Sequence, residues 1–66
     1  MEVIINGDPE TLEPAMSVAD LLARRSLEPV RVAVEINEEL VPRKSFARTM
    51  IREGDRIEIV TFVGGG

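Results

Sequence analysis

The sequence ends in three consecutive glycines, and the α-carboxylate of Gly66 is its best candidate for a reactive group. Without side chains, Gly64, Gly65 and Gly66 span about 10 Å when extended and fit a narrow tunnel into another protein's active site. A carboxylate is a poor electrophile until it is activated, for example as an acyl-adenylate, from which a sulfur or nitrogen nucleophile displaces the nucleotide. The glycines therefore predict a flexible arm, residues 64–66, that carries a functional group on a folded domain, residues 1–63.

No other residues in the sequence form a catalytic or metal-binding pattern. The chain has no Cys and no His, which excludes disulfides, thiolate chemistry and the usual zinc ligands. It also lacks a glycine-rich phosphate-binding motif. Paired carboxylates occur at Glu38–Glu39 and at Glu53 with Asp55, but both pairs fall in predicted turns, where solvated charges are the ordinary interpretation. We therefore expect no catalytic residue, no metal and no bound cofactor within the chain.

The composition is that of one small globular domain. Of the 66 residues, 44% are hydrophobic and 30% are charged, which is typical of a chain that folds. The net charge of −4 argues against a nucleic-acid partner, because phosphates would repel it. No apolar run reaches the roughly 18 residues of a membrane-spanning helix, and the N-terminus shows no signal-type leader. The expectation is therefore a cytoplasmic protein.

The folded part opens with a predicted β-hairpin. Residues 2–6, with the sequence EVIIN, form a β-branched run that ends at Asn6-Gly7, a pair that supplies the positive φ angles of a tight turn. Residues 10–13 form a weaker return strand, which Pro14 closes.

A change to helical spacing follows this hairpin. Ser17 is the predicted N-cap, and Asp20 can complete a capping box and interact with the positive end of the helix dipole. Pro29 cannot continue the helix, so the helix is expected to end near Ser26. The apolar positions of the helix face are Val18, Leu21 and Leu22.

The second half of the chain returns to strand patterns. Residues 30–36 alternate with period two and predict the clearest strand, with Val30, Val32, Val34 and Ile36 on one face. A short edge strand is expected at Leu40–Val41.

An irregular or single-turn segment is predicted at residues 45–48, from which Phe46 fills the core. A turn at residues 53–55 and a strand over residues 56–63 complete the series.

The element order predicts an α+β fold in which one helix packs on one face of a mixed, four- to five-stranded sheet. The connection between the first and last strands contains the helix and returns the chain to the same side of the sheet. If these two strands are neighbours, they must therefore run parallel. This arrangement is the β-grasp.

Strand parity predicts a docking surface beside the glycines. Ile4, Val60 and Phe62 should emerge on the sheet face away from the helix. Single exposed apolar residues are common, but the position of Phe62 two residues before Gly64 favours a contact surface for a partner. An acidic rim suited to a basic partner is expected from Glu2, Glu35 and Glu58.

Over essentially its full length, the sequence resembles the bacterial ThiS family of sulfur carriers, which are ubiquitin-like β-grasp proteins. The segments that carry the resemblance are VIING, SVADLL, VAVEINEELVPR, EGDRIEIV and TFVGGG. The third and the last of these are the most specific, since general ubiquitin-like proteins do not share VAVEINEELVPR.

This resemblance implies a specific chemistry in thiamine biosynthesis. A ThiF-type adenylating enzyme would use ATP to convert the Gly66 carboxylate to an acyl-adenylate, and a persulfide sulfur donor would replace AMP to leave a thiocarboxylate. A ThiG-type thiazole synthase would then accept the sulfur. By match to the family's tail, Gly65 and Gly66 are the functional positions and Gly64 extends the arm, while the carrier itself supplies no catalyst.

Two other interpretations stay open at the level of the sequence. A small-subunit type sulfur carrier of molybdopterin synthase would share the fold and the terminal chemistry, although such chains are usually longer and differ in their middle segments. A ubiquitin-like protein modifier would form an isopeptide bond through Gly66, and a ubiquitin-like binding module would not use its terminus. A self-contained enzyme is the least favoured class.

Overall fold

A computed structural model describes residues 1–62 of the chain. Within these residues the chain forms five strands, one α-helix and two short 3₁₀ turns. The strands and the helix are β1 (Glu2–Ile5), β2 (Asp8–Thr11), α1 (Val18–Arg24), β3 (Val32–Ile36), β4 (Glu39–Val41) and β5 (Arg56–Thr61); the 3₁₀ turns are Pro29–Arg31 and Arg43–Ser45.

The five strands form one mixed sheet in the order β2-β1-β5-β3-β4. β5 is the central strand; it runs parallel to β1, with Ile5 beside Ile57, and the other three strand pairs are antiparallel. The prediction that the first and last strands are parallel neighbours is confirmed, and the α+β class with it.

Both hairpins close with two-residue turns at positive φ. Asn6 and Gly7 have φ angles of 50° and 86°, and Asn37 and Glu38 have 53° and 71°. Two positive φ angles in a two-residue loop are the signature of the turn type that matches the twist of paired strands. The predicted turn at Asn6-Gly7 is confirmed.

β2 begins at Asp8 and includes Pro9, whereas the sequence predicted a start at residue 10. Asp8 pairs with Ile5 across the turn, so the next pair, Pro9 with Ile4, is of the kind that exchanges no backbone hydrogen bonds. The nitrogen of Pro9 therefore faces the open edge of the sheet. A proline costs nothing there, because the lost N–H would have had no strand partner.

The helix start is capped as the sequence predicted. Asp20 N donates to Ser17 Oγ at 3.1 Å, and Ser17 N donates to the Asp20 carboxylate at 3.0 Å. Val18 N and Ala19 N donate to the carbonyl oxygens of Thr49 and Phe46. The first-turn donors of α1 are thus satisfied partly by its own cap and partly by the segment that follows β4.

α1 covers one face of the sheet and closes the core. Phe46 reaches this core from the segment after the second 3₁₀ turn, as predicted, and is 4% exposed. The buried apolar side chains include Val3, Ile5, Met16, Val18, Leu21, Leu22, Val32, Val34, Phe46, Ile51, Ile57 and Ile59.

The prediction that Val30 begins the third strand on its core face is wrong. Val30 lies in the Pro29–Arg31 3₁₀ turn and is 62% exposed, and β3 begins at Val32. The proline ring fixes φ at a value suited to a turn. Arg31 stabilises this turn by donating from its backbone N to the Glu28 carbonyl and from Nε to the Glu28 carboxylate, each at 2.9 Å.

β5 ends at Thr61, two residues before the predicted end, and Phe62 follows it. The predicted arm at residues 64–66 and the domain boundary at residue 63 lie outside the described residues, so both stay predictions. Across residues 1–62, no helix has the length and apolar character that crossing a membrane requires.

Candidate functional site

Two apolar side chains at the end of β5, one in the strand and one directly after it, lie on the face of the sheet that α1 does not cover. Val60 is 58% exposed and Phe62 is 55% exposed, whereas Ile57 and Ile59 on the opposite face are buried. The alternation follows from the period of two along a strand. The predicted positions of Val60 and Phe62 on the uncovered side are therefore what the structure shows.

Ile4 emerges on the same face but is not adjacent to Val60. It is 36% exposed and pairs with Arg56, at the opposite end of β5. Val60 is four positions along the strand from Arg56, which corresponds to about 13 Å in the strand direction. Val60 and Phe62 are near each other at the end of β5, while Ile4 lies at its beginning.

Leu40 joins this face from β4, and sequence reasoning missed it. It pairs with Glu35 and is 67% exposed. Ala33, which lies opposite Val60 and two residues before Glu35 on β3, is half-buried. The signal that could have found Leu40 is the two-residue turn at Asn37-Glu38, because that loop length sets the register of β3 against β4. The apolar surface at the end of β5, hereafter the exposed sheet face, consists of Ala33, Val60 and Phe62. Leu40 lies on the same side of the sheet but two strands away, level with Glu35 and Glu58.

Two of the three predicted acidic rim residues border this face directly. Glu35 and Glu58 are exposed and pair with each other across β3 and β5, one step along the strands from Ala33 and Val60. Glu2 is exposed but lies on β1 near Gly54, whose N–H donates to its carbonyl, and its carboxylate accepts a hydrogen bond from Thr11 at 2.8 Å. The acidic charge beside Val60 therefore comes from Glu35 and Glu58.

The point where β5 ends is tied to the turn before β3. Phe62 N donates to the carbonyl of Arg31 at 2.8 Å, which continues the β3–β5 pairing one residue beyond the strand. The backbone of Phe62 is thus held although its side chain is exposed. Gly64, Gly65 and Gly66, the predicted reactive arm, lie outside the described residues.

The described part of the chain contains no side-chain cluster suited to a metal. Within residues 1–62, no group of three or more Asp and Glu side chains is placed so that it could hold a metal ion. What the described residues do offer is an apolar surface with a carboxylate pair beside it, next to the end of β5. Such a surface can bind another protein.

Comparison with known proteins decides the family. The model of the ThiS family matches residues 3–66, nearly the whole chain and all three terminal glycines. The chain belongs to the ThiS family. The resemblance carried by VAVEINEELVPR and TFVGGG is thereby confirmed.

The relatives of this chain include a protein of Bacillus subtilis named sulfur carrier protein ThiS. It is 42% identical over 63 residues, covering 94% of this chain and 96% of the relative. A second relative, from Paramagnetospirillum magneticum, is named thiazole synthase and is 41% identical over the whole of this chain. The chain spans only 20% of that relative's length.

The fold agrees with that of a solved ThiS structure. The crystal structure of a thiamine biosynthesis protein (ThiS) from Geobacter metallireducens superposes with a TM-score of 0.84, covers 100% of both chains and is 33% identical. The predicted β-grasp is therefore confirmed.

Proposed function

We propose that this chain is a sulfur carrier for thiazole formation in thiamine biosynthesis, and that it carries the sulfur as a thiocarboxylate on Gly66. The observation that carries the proposal is membership of the ThiS family over residues 3–66, which includes the terminal glycines. Relatives named sulfur carrier protein ThiS and thiazole synthase support the pathway.

The first step proposed is activation of the terminal carboxylate. A carboxylate oxygen of Gly66 attacks the α-phosphorus of ATP in the active site of a ThiF-type adenylating enzyme, and pyrophosphate leaves. The resulting acyl-adenylate has AMP as its leaving group, which makes the carbonyl carbon reactive. Because glycine has no Cβ, nothing on the carrier crowds that carbon or the walls of a narrow partner tunnel.

The second step proposed is exchange of oxygen for sulfur. The outer sulfur of a persulfide donor attacks the acyl carbon, and AMP leaves with the bonding electron pair. A second thiol of the donor system then attacks the remaining S–S bond, which releases the thiocarboxylate and leaves a disulfide on the donor. The carrier contributes its carboxylate, and the partners contribute every catalytic group.

The acceptor proposed is a ThiG-type thiazole synthase. A segment similar to this entire chain makes up a fifth of the P. magneticum relative named thiazole synthase. In that protein, the carrier-like segment and the rest of the thiazole synthase belong to one polypeptide, which supports a direct contact between carrier and synthase. Placing both in one chain would raise their effective concentration.

The exposed sheet face is the docking surface that we propose for these partners. Val60 and Phe62 supply apolar contact area, and Glu35 and Glu58 supply negative charge that would attract a basic partner surface. Ile4 lies too far along the sheet to belong to the same contact centre and would extend its periphery. Docking through this face would hold the start of the arm at the entrance of a partner's active site.

The test is to incubate the purified chain with ATP, Mg²⁺, an adenylating enzyme and a persulfide source, and to measure its intact mass. The proposal predicts a gain equal to the replacement of one oxygen by one sulfur. Deletion of Gly66 should abolish the gain. Formation of a covalent conjugate with another protein instead of a thiocarboxylate would favour the modifier interpretation.

A further inference from the structure

Among residues 1–62, the last hydrogen bonds that β5 makes on its β1 side come from the side chain of Asn6. Asn6 Oδ1 accepts from Ile59 N at 2.8 Å, and Asn6 Nδ2 donates to the Ile59 carbonyl at 3.2 Å. Both atoms of one amide therefore engage both backbone groups of one residue. The sequence marked Asn6 only as a turn residue, and this second role was not expected.

The register explains why Ile59 needs such a partner. The bonds from Asn37 N to the Arg56 carbonyl and from Phe62 N to the Arg31 carbonyl show that even-numbered residues of this segment bond towards β3. Odd-numbered residues consequently point their N–H and C=O groups towards β1. Ile57 receives its bond from the backbone N of Asn6 at 2.9 Å.

At Ile59 there is no β1 backbone left to pair with, because the chain has already entered the Asn6-Gly7 turn. The Asn6 side chain replaces the missing peptide group, since a primary amide offers the same donor and acceptor pair. Without it, two backbone polar groups beside the core would lack a protein partner. Beyond this point, the described part of β5 is held from its β3 side, where Val60 pairs with Ala33 and Phe62 N donates to the Arg31 carbonyl.

We propose that Asn6 is a positioning residue that fixes how β5 presents Val60 and Phe62 to the adenylating enzyme. The inference rests on the proposed function, since it assigns a role in the same docking step. The clamp acts on the residue immediately before Val60, so its loss would let the end of β5 move relative to the sheet. Binding would then have to restrain that motion, which weakens the complex.

The chain contains a matched control for this clamp. Asn37 has nearly the same backbone geometry, with φ 53° against 50° for Asn6. Its Oδ1 accepts from Arg56 N at 3.1 Å, and its Nδ2 donates to the Asp55 carboxylate at 3.1 Å. It therefore clamps the beginning of β5, at the end opposite to Phe62.

The experiment compares Asn6→Gly with Asn37→Gly, because glycine keeps the positive φ while removing the amide. In Asn6→Gly, exchange of the Ile59 backbone amide should accelerate about fivefold or more, as expected from the loss of one hydrogen bond. The KM of the adenylating enzyme for the carrier should rise about three- to tenfold while kcat changes by less than about twofold. Asn37→Gly should leave that KM unchanged.

A third variant separates the two halves of the clamp. Asn6→Asp keeps the acceptor for Ile59 N but replaces the donor to the Ile59 carbonyl with an oxygen. Protection of the Ile59 amide should persist in this variant, and its KM should lie between those of the wild type and Asn6→Gly.

Two results would overturn this inference alone, provided that the enzyme converts the wild-type chain. The first is a KM for Asn6→Gly equal to that of the wild type. The second is an equal rise in KM for Asn37→Gly, which would mean a general loss of sheet stability. A wild-type chain that an active enzyme does not convert would instead contradict the proposed function, and the inference would fall with it.

Discussion

Glu35 on β3 and Glu58 on β5 lie directly opposite each other on the uncovered side of the sheet. Two carboxylates in such a pair repel, and like charges in directly opposed positions reduce the stability of a sheet. Neither carboxylate forms an ion pair among the described residues. In the free protein the two carboxylates repel each other, whereas positive charges on a bound partner would attract both. This arrangement fits a basic partner surface.

Glu58→Lys should therefore raise stability and lower affinity. Replacing the repulsion by attraction to Glu35 should increase the free energy of unfolding by about 0.5 kcal/mol, measured in urea. Association with the adenylating enzyme should slow and lose part of its salt dependence. Asp8→Lys is the control, because it makes the same charge change on the distant edge strand β2. An equal slowing by both variants would mean that only net charge matters.

Phe62→Asp should weaken binding to the adenylating enzyme or the thiazole synthase by about tenfold or more without unfolding the domain. The side chain is already 55% exposed, so the free energy of unfolding should change by less than about 0.5 kcal/mol. Titration calorimetry and urea unfolding measure the two effects separately.

Met50→Asp is the matched control for Phe62→Asp, since Met50 is also an exposed apolar residue but lies beside Ser17 at the helix start. Docking through the exposed sheet face would be contradicted if Phe62→Asp left the affinity for the partner enzyme unchanged. It would also be contradicted if Met50→Asp lowered that affinity equally.

Gly65→Val should abolish thiocarboxylate formation while leaving the thermal midpoint within the error of measurement. The added side chain would clash with a tunnel that admits only glycine backbone, and it would restrict the backbone next to the reacting carbonyl. Mass spectrometry reports the modification and thermal unfolding reports the fold. A large loss of stability would show instead that this position contributes to the folded domain.

Ser17→Ala should destabilise the domain by about 1 kcal/mol, because it removes the hydroxyl that accepts from Asp20 N. Well below the unfolding temperature, the rate of sulfur loading should stay unchanged, since Ser17 caps α1, which packs on the opposite side of the sheet from Val60 and Phe62. Urea unfolding and loading kinetics measure the two quantities. A strong decrease in the rate of sulfur loading while the variant is fully folded would indicate that the helix start contacts a partner.

Local signals and chain connectivity were sufficient to predict much of this fold. Ser17 and Asp20 form a cap through residues three apart, so sequence spacing alone determines their contact. The parallel pairing of β1 with β5 follows from the helical connection between them. Val30 was misplaced because Pro29 favours a 3₁₀ turn that interrupts an otherwise regular alternation.

The candidate site was less accessible to sequence reasoning because it depends on register between strands. Parity placed Ile4 and Val60 on one face correctly, but only the pairing of Ile4 with Arg56 shows that they are apart. Leu40 lies on the same side of the sheet only because it pairs with Glu35. The contact between Asn6 and Ile59 joins residues far apart in sequence, and no local pattern encodes it.

The central claim is that Gly66 carries sulfur as a thiocarboxylate, and the intact mass of the chain after loading tests it most directly. Loading with ATP, Mg²⁺, the adenylating enzyme and a persulfide donor should add the mass difference between sulfur and oxygen. The gain should require every component and should be absent when Gly66 is deleted. An unchanged mass, with an enzyme shown to be active on its own carrier, would contradict the claim.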